Sequence, residues 1–230
     1  MAKIICVLGN KGGTGKTTLS HMLSQGLGLL GHRAACVLTD ISREPLSPAG
    51  RRYITADARN AEALAKVITK LRSLDDWVGV VDGAGNRTDM DHKLYGMADI
   101  VLLPFRDSHE DIRTVVRDLD LFPRAYAVPS QWPGNAWQRE AADRNVLRFM
   151  GAYRHRILKP VGALSSSKLL LQKQVPEQLP SLLARACRRI AREVLEVLEI
   201  ETDDGDTRED QGRAERLPPA EIPLRLHRTV

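Results

Sequence analysis

Short apolar runs and longer amphipathic stretches take turns along this chain, and that pattern predicts its elements. Residues 4–9, 34–39, 78–81 (running into Asp82), 100–104 and 125–128 are apolar runs of strand length. Between and after them, 16–30, 60–74, 108–121, 138–150 and 180–198 carry apolar residues at helical spacing. Leu64, Val67, Ile68 and Leu71 mark the second of these helices, and Leu182, Leu183, Ala186, Ile190, Val194 and Leu198 the last. Gly31 ends the first helix and Ser108 caps the third. The stretch 41–57 is polar and broken by Pro and Gly, which predicts a loop with a short strand at 53–54; a further short strand is predicted at 156–158. Strands alternating with helices predict an α/β fold, a single domain over 1–200 whose mostly parallel sheet has helices on both faces. Beyond residue 200 the pattern stops. Residues 201–210 contain no apolar side chain and Pro218, Pro219 and Pro223 follow, so 201–230 reads as a disordered acidic tail. No internal repeat is visible.

Composition narrows the class. The chain has 230 residues, 43% of them hydrophobic, enough for a sizeable core. No apolar run approaches the roughly 18 residues of a membrane-spanning helix. The apolar run after Met1-Ala2-Lys3 is too short for a secretory signal. Three scattered cysteines, Cys6, Cys36 and Cys187, with no CxxC, read as reduced thiols of a cytoplasmic protein rather than a disulfide framework or a zinc site.

The net charge of +5 is unevenly spread. Residues 1–138 are near balance, with 17 bases and 15 acids. Residues 151–192 hold nine bases (Arg154, Arg156, Lys159, Lys168, Lys173, Arg185, Arg188, Arg189 and Arg192) against the single acid Glu177, and 199–230 hold nine acids and five bases. A local excess of one sign asks for a local explanation.

The most informative segment is Gly9-Asn10-Lys11-Gly12-Gly13-Thr14-Gly15-Lys16-Thr17-Thr18, which lies between a predicted strand and a predicted helix. Glycines let the backbone curl so that successive N–H groups point inward at phosphate oxygens, and the helix start adds its positive dipole end. Lys16 supplies a charge between the β- and γ-phosphates of a nucleotide, and the Thr17 hydroxyl is a ligand for Mg²⁺. The first glycine of the usual P-loop pattern is here Asn10, and a second lysine, Lys11, precedes the glycine pair. In that form the segment resembles the deviant Walker motif of the ParA/MinD family of P-loop ATPases, and the likeness runs from Met1 to about Leu198. It implies ATP and Mg²⁺ as cofactors, contacts from Lys11 through Thr18 to the nucleotide, and an ATP-sandwiched homodimer in which Lys11 reaches the partner's phosphates.

An ATPase also needs carboxylates to organise the metal ion and the attacking water. The apolar run Val80-Val81 ends in Asp82, placed to hold Mg²⁺, and the glycines after it suit a switch that senses the γ-phosphate. The family carries an Asp-x-Asp at the end of its second strand. Here the tripeptide is Leu38-Thr39-Asp40, so the second Asp is kept as Asp40, which orients water by resemblance, and the first is Leu. The Pro-Gln that usually follows is also absent, which makes the first switch loop (41–50) divergent and implies slow turnover without a partner. The adenine pocket is expected near 129–133 and 160–162. Trp132 and Trp137 are both available to stack on a base or to serve as packing anchors.

In the basic third, residues 185, 188, 189 and 192 fall at i, i+3, i+4 and i+7, so four arginines share one helix face. A one-sided cationic face suits phosphate contacts that ignore sequence and weaken with salt. The resemblance implies the same: ParA-like members bind nonspecific DNA as ATP dimers, associate with the nucleoid, and position a plasmid, a chromosome region or a protein assembly such as a carboxysome through an adaptor that activates hydrolysis. MinD-like members cycle on membranes through a basic amphipathic tail helix, which this acidic, proline-containing tail does not make. A metabolic ligase of related fold leaves Lys11 without a role, and the iron–sulfur carriers of the family need paired cysteines. With the P-loop within ten residues of Met1, no helix-turn-helix for operator recognition precedes it. The acidic tail is placed to compete with DNA for the basic face. Truncation after Ile200 is therefore expected to tighten DNA binding in a fluorescence-anisotropy titration; unchanged affinity would count against that competition.

Overall fold

The computed structural model describes residues 1–40, 46–83 and 88–199; the tail predicted at 201–230 lies outside the described residues. Its elements are β1 (Lys3–Val7), α1 (Lys16–Leu29), β2 (Arg33–Leu38), β3 (Ile54–Asp57), α2 (Ala61–Arg72), β4 (Trp77–Asp82), α3 (Thr88–Met97), β5 (Ile100–Phe105), α4 (His109–Leu121), β6 (Ala125–Pro129), α5 (Ala136–Met150) and α6 (Ser181–Val197). The six strands form one sheet in the order β3-β2-β4-β1-β5-β6, and every pair in it is parallel. β4 and β5 are buried at every position, which is why they read as unbroken apolar runs instead of alternating ones. Helices cover both faces: α2, α3, α4 and α5 pack on one, α1 and α6 on the other.

Local chemistry sets the boundaries. The side chains of Asn60, Ser108 and Asn135 each accept a backbone N–H from the first turn of α2, α4 and α5. Gly31, at φ +87°, turns the chain out of α1, and the N–H of His32 returns to the carbonyl of Leu27. Three elements differ from the sequence reading. α3 carries a weak apolar pattern, with Leu94 its fully buried anchor, and was not expected. The strand at 156–158 is instead a 3-10 turn (Gly151–Arg156), after which Ile157 makes a single parallel bridge to Ala127. A second 3-10 segment, Ser165–Leu171, anchors Leu170 beneath α1, where no element was expected.

α1 is enclosed. Leu19, Met22, Leu23 and Leu27 are buried, and so are Ser20, His21, Ser24 and Gln25. A polar group taken out of water calls for a partner, and each of these side chains has one. The hydroxyls of Ser20 and Ser24 donate to the carbonyls one turn back (3.0 and 2.8 Å), His21 Nδ1 meets the Tyr53 hydroxyl at 2.6 Å, and Gln25 Oε1 accepts the N–H of Arg52. The outer side of α1 lies directly on α6. A Cβ added at Gly26 would stand 2.0 Å from the carbonyl oxygen of Cys187, so only glycine permits this approach. Gly26→Ala must push the two helices apart. It is expected to cost about 1–3 kcal/mol, as overpacking does, and to lower the melting temperature by several degrees in circular dichroism; an unchanged midpoint would show that α1 and α6 separate freely.

Candidate functional site

The glycine-rich turn joins β1 to α1 at the carboxyl ends of the central strands, where open α/β sheets bind ligands. Gly15 holds the N-cap of α1 in the left-handed region (φ +96°), and no side chain caps this helix, unlike α2, α4 and α5. The first N–H groups of α1 therefore keep their capacity for an anion, reinforced by the helix dipole. Lys16 is largely buried, and its ammonium donates to the carbonyl oxygen of Lys11 at 2.8 Å, folded back across the loop. The loop is clamped from the β6 side, where the Ser130 hydroxyl donates to the carbonyl of Thr14 and Gln131 Nε2 to that of Gly13.

Thr17, Asp40 and Asp82 line one cavity of about 340 Å³ at the ends of β2, β3 and β4. The carboxylate of Asp82 accepts a hydrogen bond from Ser20 Oγ (3.1 Å), while its backbone carbonyl accepts one from Thr39 Oγ1 (2.6 Å), tying the ends of β2 and β4 together. A hydroxyl on the first turn of a bare helix facing the same space as two aspartates is a donor set of hard oxygens, which fits a hydrated Mg²⁺ beside polyphosphate. Leu38, standing where the resemblance has the first aspartate, lines the same cavity, so that wall is apolar rather than acidic. Residues 41–45 of the first switch loop lie outside the described residues.

Lys11 is not a solvated loop charge. Its ammonium lies 2.6 Å from Asp111 and 2.7 Å from Glu110, at the start of α4. Asp111 is wholly buried and also receives Arg106 Nε (3.0 Å), the Arg106 N–H (3.1 Å) and Ser108 Oγ (2.7 Å). Burial alone would raise its carboxyl, but hydrogen bonds from Arg106, Lys11 and Ser108 outweigh that and hold it well below the usual carboxylate range. The same contacts, Asp111 first, raise the Lys11 ammonium and keep it charged. Asn10, in the place of a P-loop glycine, sends Nδ2 to Asp118 on α4 at 3.3 Å. The short Ser108-x-x-Asp111 spacing is legible as a helix start; that Lys11 docks on it is not, since 100 residues of chain separate them. Ser20 carried no sequence signal, and Ser130 and Gln131, expected near a base, instead hold the carbonyls of the glycine-rich loop.

The segment where an adenine pocket is expected lies where the chain leaves β6. Trp132 is buried there with its indole N–H on Asp143 (2.9 Å), a packing anchor, whereas Trp137 is 73% exposed on the first turn of α5. The nine bases of the C-terminal third do not form one surface. Arg185, Arg189 and Arg192 are exposed on α6 and Arg188 half-buried beside them; among the described residues no carboxylate lies within ion-pair distance of any of the four. Arg189 reaches the carbonyl of Pro160, the residue after the exposed Lys159. Arg154 and Lys168 are exposed, but Arg156 caps the end of α4 through the carbonyls of Leu119, Phe122 and Pro123, and Lys173 lines the cavity shared with Asp40. All three cysteines are buried free thiols, and burial pushes each toward the protonated form.

No family model matches the sequence, and no curated protein matches it. Solved structures share the fold. An aspartate-to-alanine variant of McdA from Cyanothece, in complex with ATP, superposes with a TM-score of 0.62 at 17% identity over 87% of this chain and 97% of that one. The cell division protein MinD of Aquifex aeolicus gives a TM-score of 0.66 at 16% identity over 84% and 97%. Cobyrinic acid a,c-diamide synthase of Mycobacterium smegmatis, with ADP and magnesium bound, gives 0.56 at 16% over 86% and 96%. At these identities the likeness establishes the fold alone.

The network on Asp111 carries a pH signature. A carboxyl whose folded value is depressed stabilises the protein fully above its unfolded value, near 4, and loses that contribution as pH falls toward the folded one. Asp111→Asn is expected to cost about 1–3 kcal/mol near neutral pH, with the gap to the parent closing below about pH 4, as read by urea unfolding at each pH. A gap independent of pH would show that the charge on Asp111 contributes nothing.

Proposed function

We propose that this chain is a ParA-type ATPase of the ParA/MinD family, which closes as an ATP-sandwiched homodimer, binds DNA without sequence preference, and positions a cargo through partner-stimulated hydrolysis. The observation that carries this reading is the bare, glycine-started N-terminus of α1 with Lys16 over it and a second lysine, Lys11, at its mouth. In this reading the N–H groups of residues 12–18 hold the phosphates and Lys16 swings from the Lys11 carbonyl to the β- and γ-oxygens. Thr17 and Asp82 hold Mg²⁺, which supplies charge neutralisation at the phosphoryl group, and Asp40 orients the attacking water. Lys11 leaves Glu110 and Asp111 for the partner's nucleotide, so one lysine serves both the resting and the dimeric state.

The arginine set on α6 supports the DNA step, with Arg154, Lys159 and Lys168 contributing at its flank. Because α6 is packed backbone to backbone on α1, dimer closure carries two such faces to fixed places, which makes attachment depend on the nucleotide. Leu38 in place of an aspartate supports slow intrinsic turnover and a requirement for an activating protein. The same fold carries a cobyrinic acid synthase, so a metabolic ligase is the second reading; Lys11 and its carboxylate dock speak for the first. No helix among the described residues is long and apolar enough to cross a membrane.

DNA retention measured with ATP, with ADP and without nucleotide tests the proposal directly. Retention is expected with ATP only and should weaken at least tenfold between roughly 50 and 200 mM salt. Lys16→Ala should abolish ATP binding, Lys11→Ala should bind ATP yet stay monomeric by light scattering, and charge reversal at Arg185, Arg188 and Arg189 should remove DNA while leaving the dimer. Equal retention in all three nucleotide states would refute the ParA reading in favour of the ligase.

A further inference from the structure

Behind the glycine-rich loop, on the side away from solvent, stands a carboxyl that none of the roles above uses. Asp91 projects from α3, the element next in the chain after β4, and only 2% of its surface is exposed. Among the described residues its Oδ1 has no hydrogen-bond partner. The other buried carboxylates of this region are satisfied: Asp82 by Ser20, Asp111 by Arg106, Lys11 and Ser108, Asp118 by Asn10. A buried oxygen with nothing to accept costs free energy as a carboxylate and much less as a neutral acid.

The charged and titratable groups facing Asp91 come from three elements. Lys16, at the loop, draws the carboxyl toward ionisation; Asp118, on α4, opposes it. The buried Cys6 thiol of β1, whose Sγ donates to the carbonyl of Leu94 on α3, is the third neighbour and carries no charge near neutral pH. Arg117 reaches Asp118 only at 4.0 Å and from the exposed side. Burial is the largest influence and leaves the Asp91 carboxyl pushed up to about 6, with Lys16 holding it there against further rise. The cation that keeps Asp91 partly ionised is thus the cation expected to meet the nucleotide.

We propose that Asp91 takes up a proton from solvent when the phosphates of a nucleotide occupy the loop above it, so that nucleotide affinity is linked to the protonation of this one buried carboxyl. This rests on the nucleotide-binding reading of the loop. Phosphate oxygens arriving at Lys16 match its charge and bring several negative charges close to Asp91. Both effects favour the neutral acid, whose proton also removes repulsion with Asp118. Linkage then works in both directions: the nucleotide raises the proton affinity of Asp91, and a protonated Asp91 raises the affinity for nucleotide. The sign follows: binding is tightest in mild acid and weakens as pH rises above about 6, by at most tenfold per unit. Acidification would hold the protein in its nucleotide-bound state.

The test is calorimetric titration of the full chain with Mg-ADP and with a slowly hydrolysed ATP analogue, in buffers of different ionisation enthalpy, between pH 6 and 8. The parent should take up a fraction of a proton per nucleotide and lose affinity severalfold across that range. Asp91→Asn, neutral at every pH, should bind with a smaller proton uptake and a flatter profile; protonation of the nucleotide itself is common to both and cancels. Equal uptake and equal slopes in the two proteins would overturn the linkage. Should Asp91→Asn fold poorly, the carboxyl ¹³C resonance of Asp91 in the parent gives the same answer: its titration midpoint should move up on adding Mg-ADP, and an unmoved midpoint overturns the proposal. Absence of nucleotide binding by the parent at every pH would instead sink the reading of the loop on which the linkage rests.

Discussion

The structure turns on one helix with a bare front end. α1 begins at a left-handed glycine with no capping side chain, and most of its length is then enclosed between the sheet and α6. Those two conditions belong together. An uncapped helix start costs free energy unless a ligand or water completes it, and burial of the following turns holds that start in place at the ends of β1 and β4. The leucines of α1 supply the anchorage, while Ser20, Ser24 and Gln25 and the Nδ1 of His21 each meet a partner, so the buried polar side of the helix is tied to its surroundings. At Gly26 the contact with α6 is so close that a methyl group has no room. The helix presenting the candidate phosphate site and the helix presenting the arginines therefore behave as one body.

Around that body the charges are arranged in depth. At the mouth of the loop Lys11 rests on Glu110 and Asp111; over it Lys16 folds back on a carbonyl; at the strand ends Asp40 and Asp82 share a cavity with Thr17; behind it Asp91 and Asp118 stand buried. These groups are supplied by the glycine-rich loop, α1, α3, α4 and the ends of β2 and β4, and each would feel the arrival of polyphosphate. This gives a physical basis for coupling nucleotide state to the outer surface without a long conformational route: the charges that hold the resting loop together are the ones a nucleotide would displace. Likeness to McdA, to the cell division protein MinD and to a cobyrinic acid synthase places the chain in a fold shared by proteins of different function.

Much of the architecture was legible because parallel strands buried on both faces leave continuous apolar runs, and capped amphipathic helices leave caps and periodicity. β4, β5, α2, α4 and α6 are of this kind. α3 was not legible, since a short helix needing one buried leucine writes almost no pattern, and the run at 156–158 imitates a strand while making only a single bridge. The glycine-rich turn between β1 and α1 was legible as a turn and helix start because it is written in consecutive residues. The basic third was legible as a count but not as a surface. Arg156 is spent on helix carbonyls and Lys173 lines the cavity of Asp40 and Asp82, whereas three of the four α6 arginines are exposed, as their spacing on one helix implied.

The amino-acid sequence alone determined what depends on neighbours along the chain: the alternation of elements, the glycine turn, Lys16 and Thr17 at the helix start, and an apolar Leu38 two positions before Asp40. Only the tertiary structure decided what depends on residues far apart in sequence. It brought Lys11 onto Asp111, Ser130 and Gln131 onto the loop, Ser20 onto Asp82, and Asp91 within electrostatic reach of Lys16. The physical reason is that helix capping and backbone curvature act over a few residues, whereas hydrogen bonding, burial and Coulomb interaction act through space, and no local pattern records which distant partner the fold will supply.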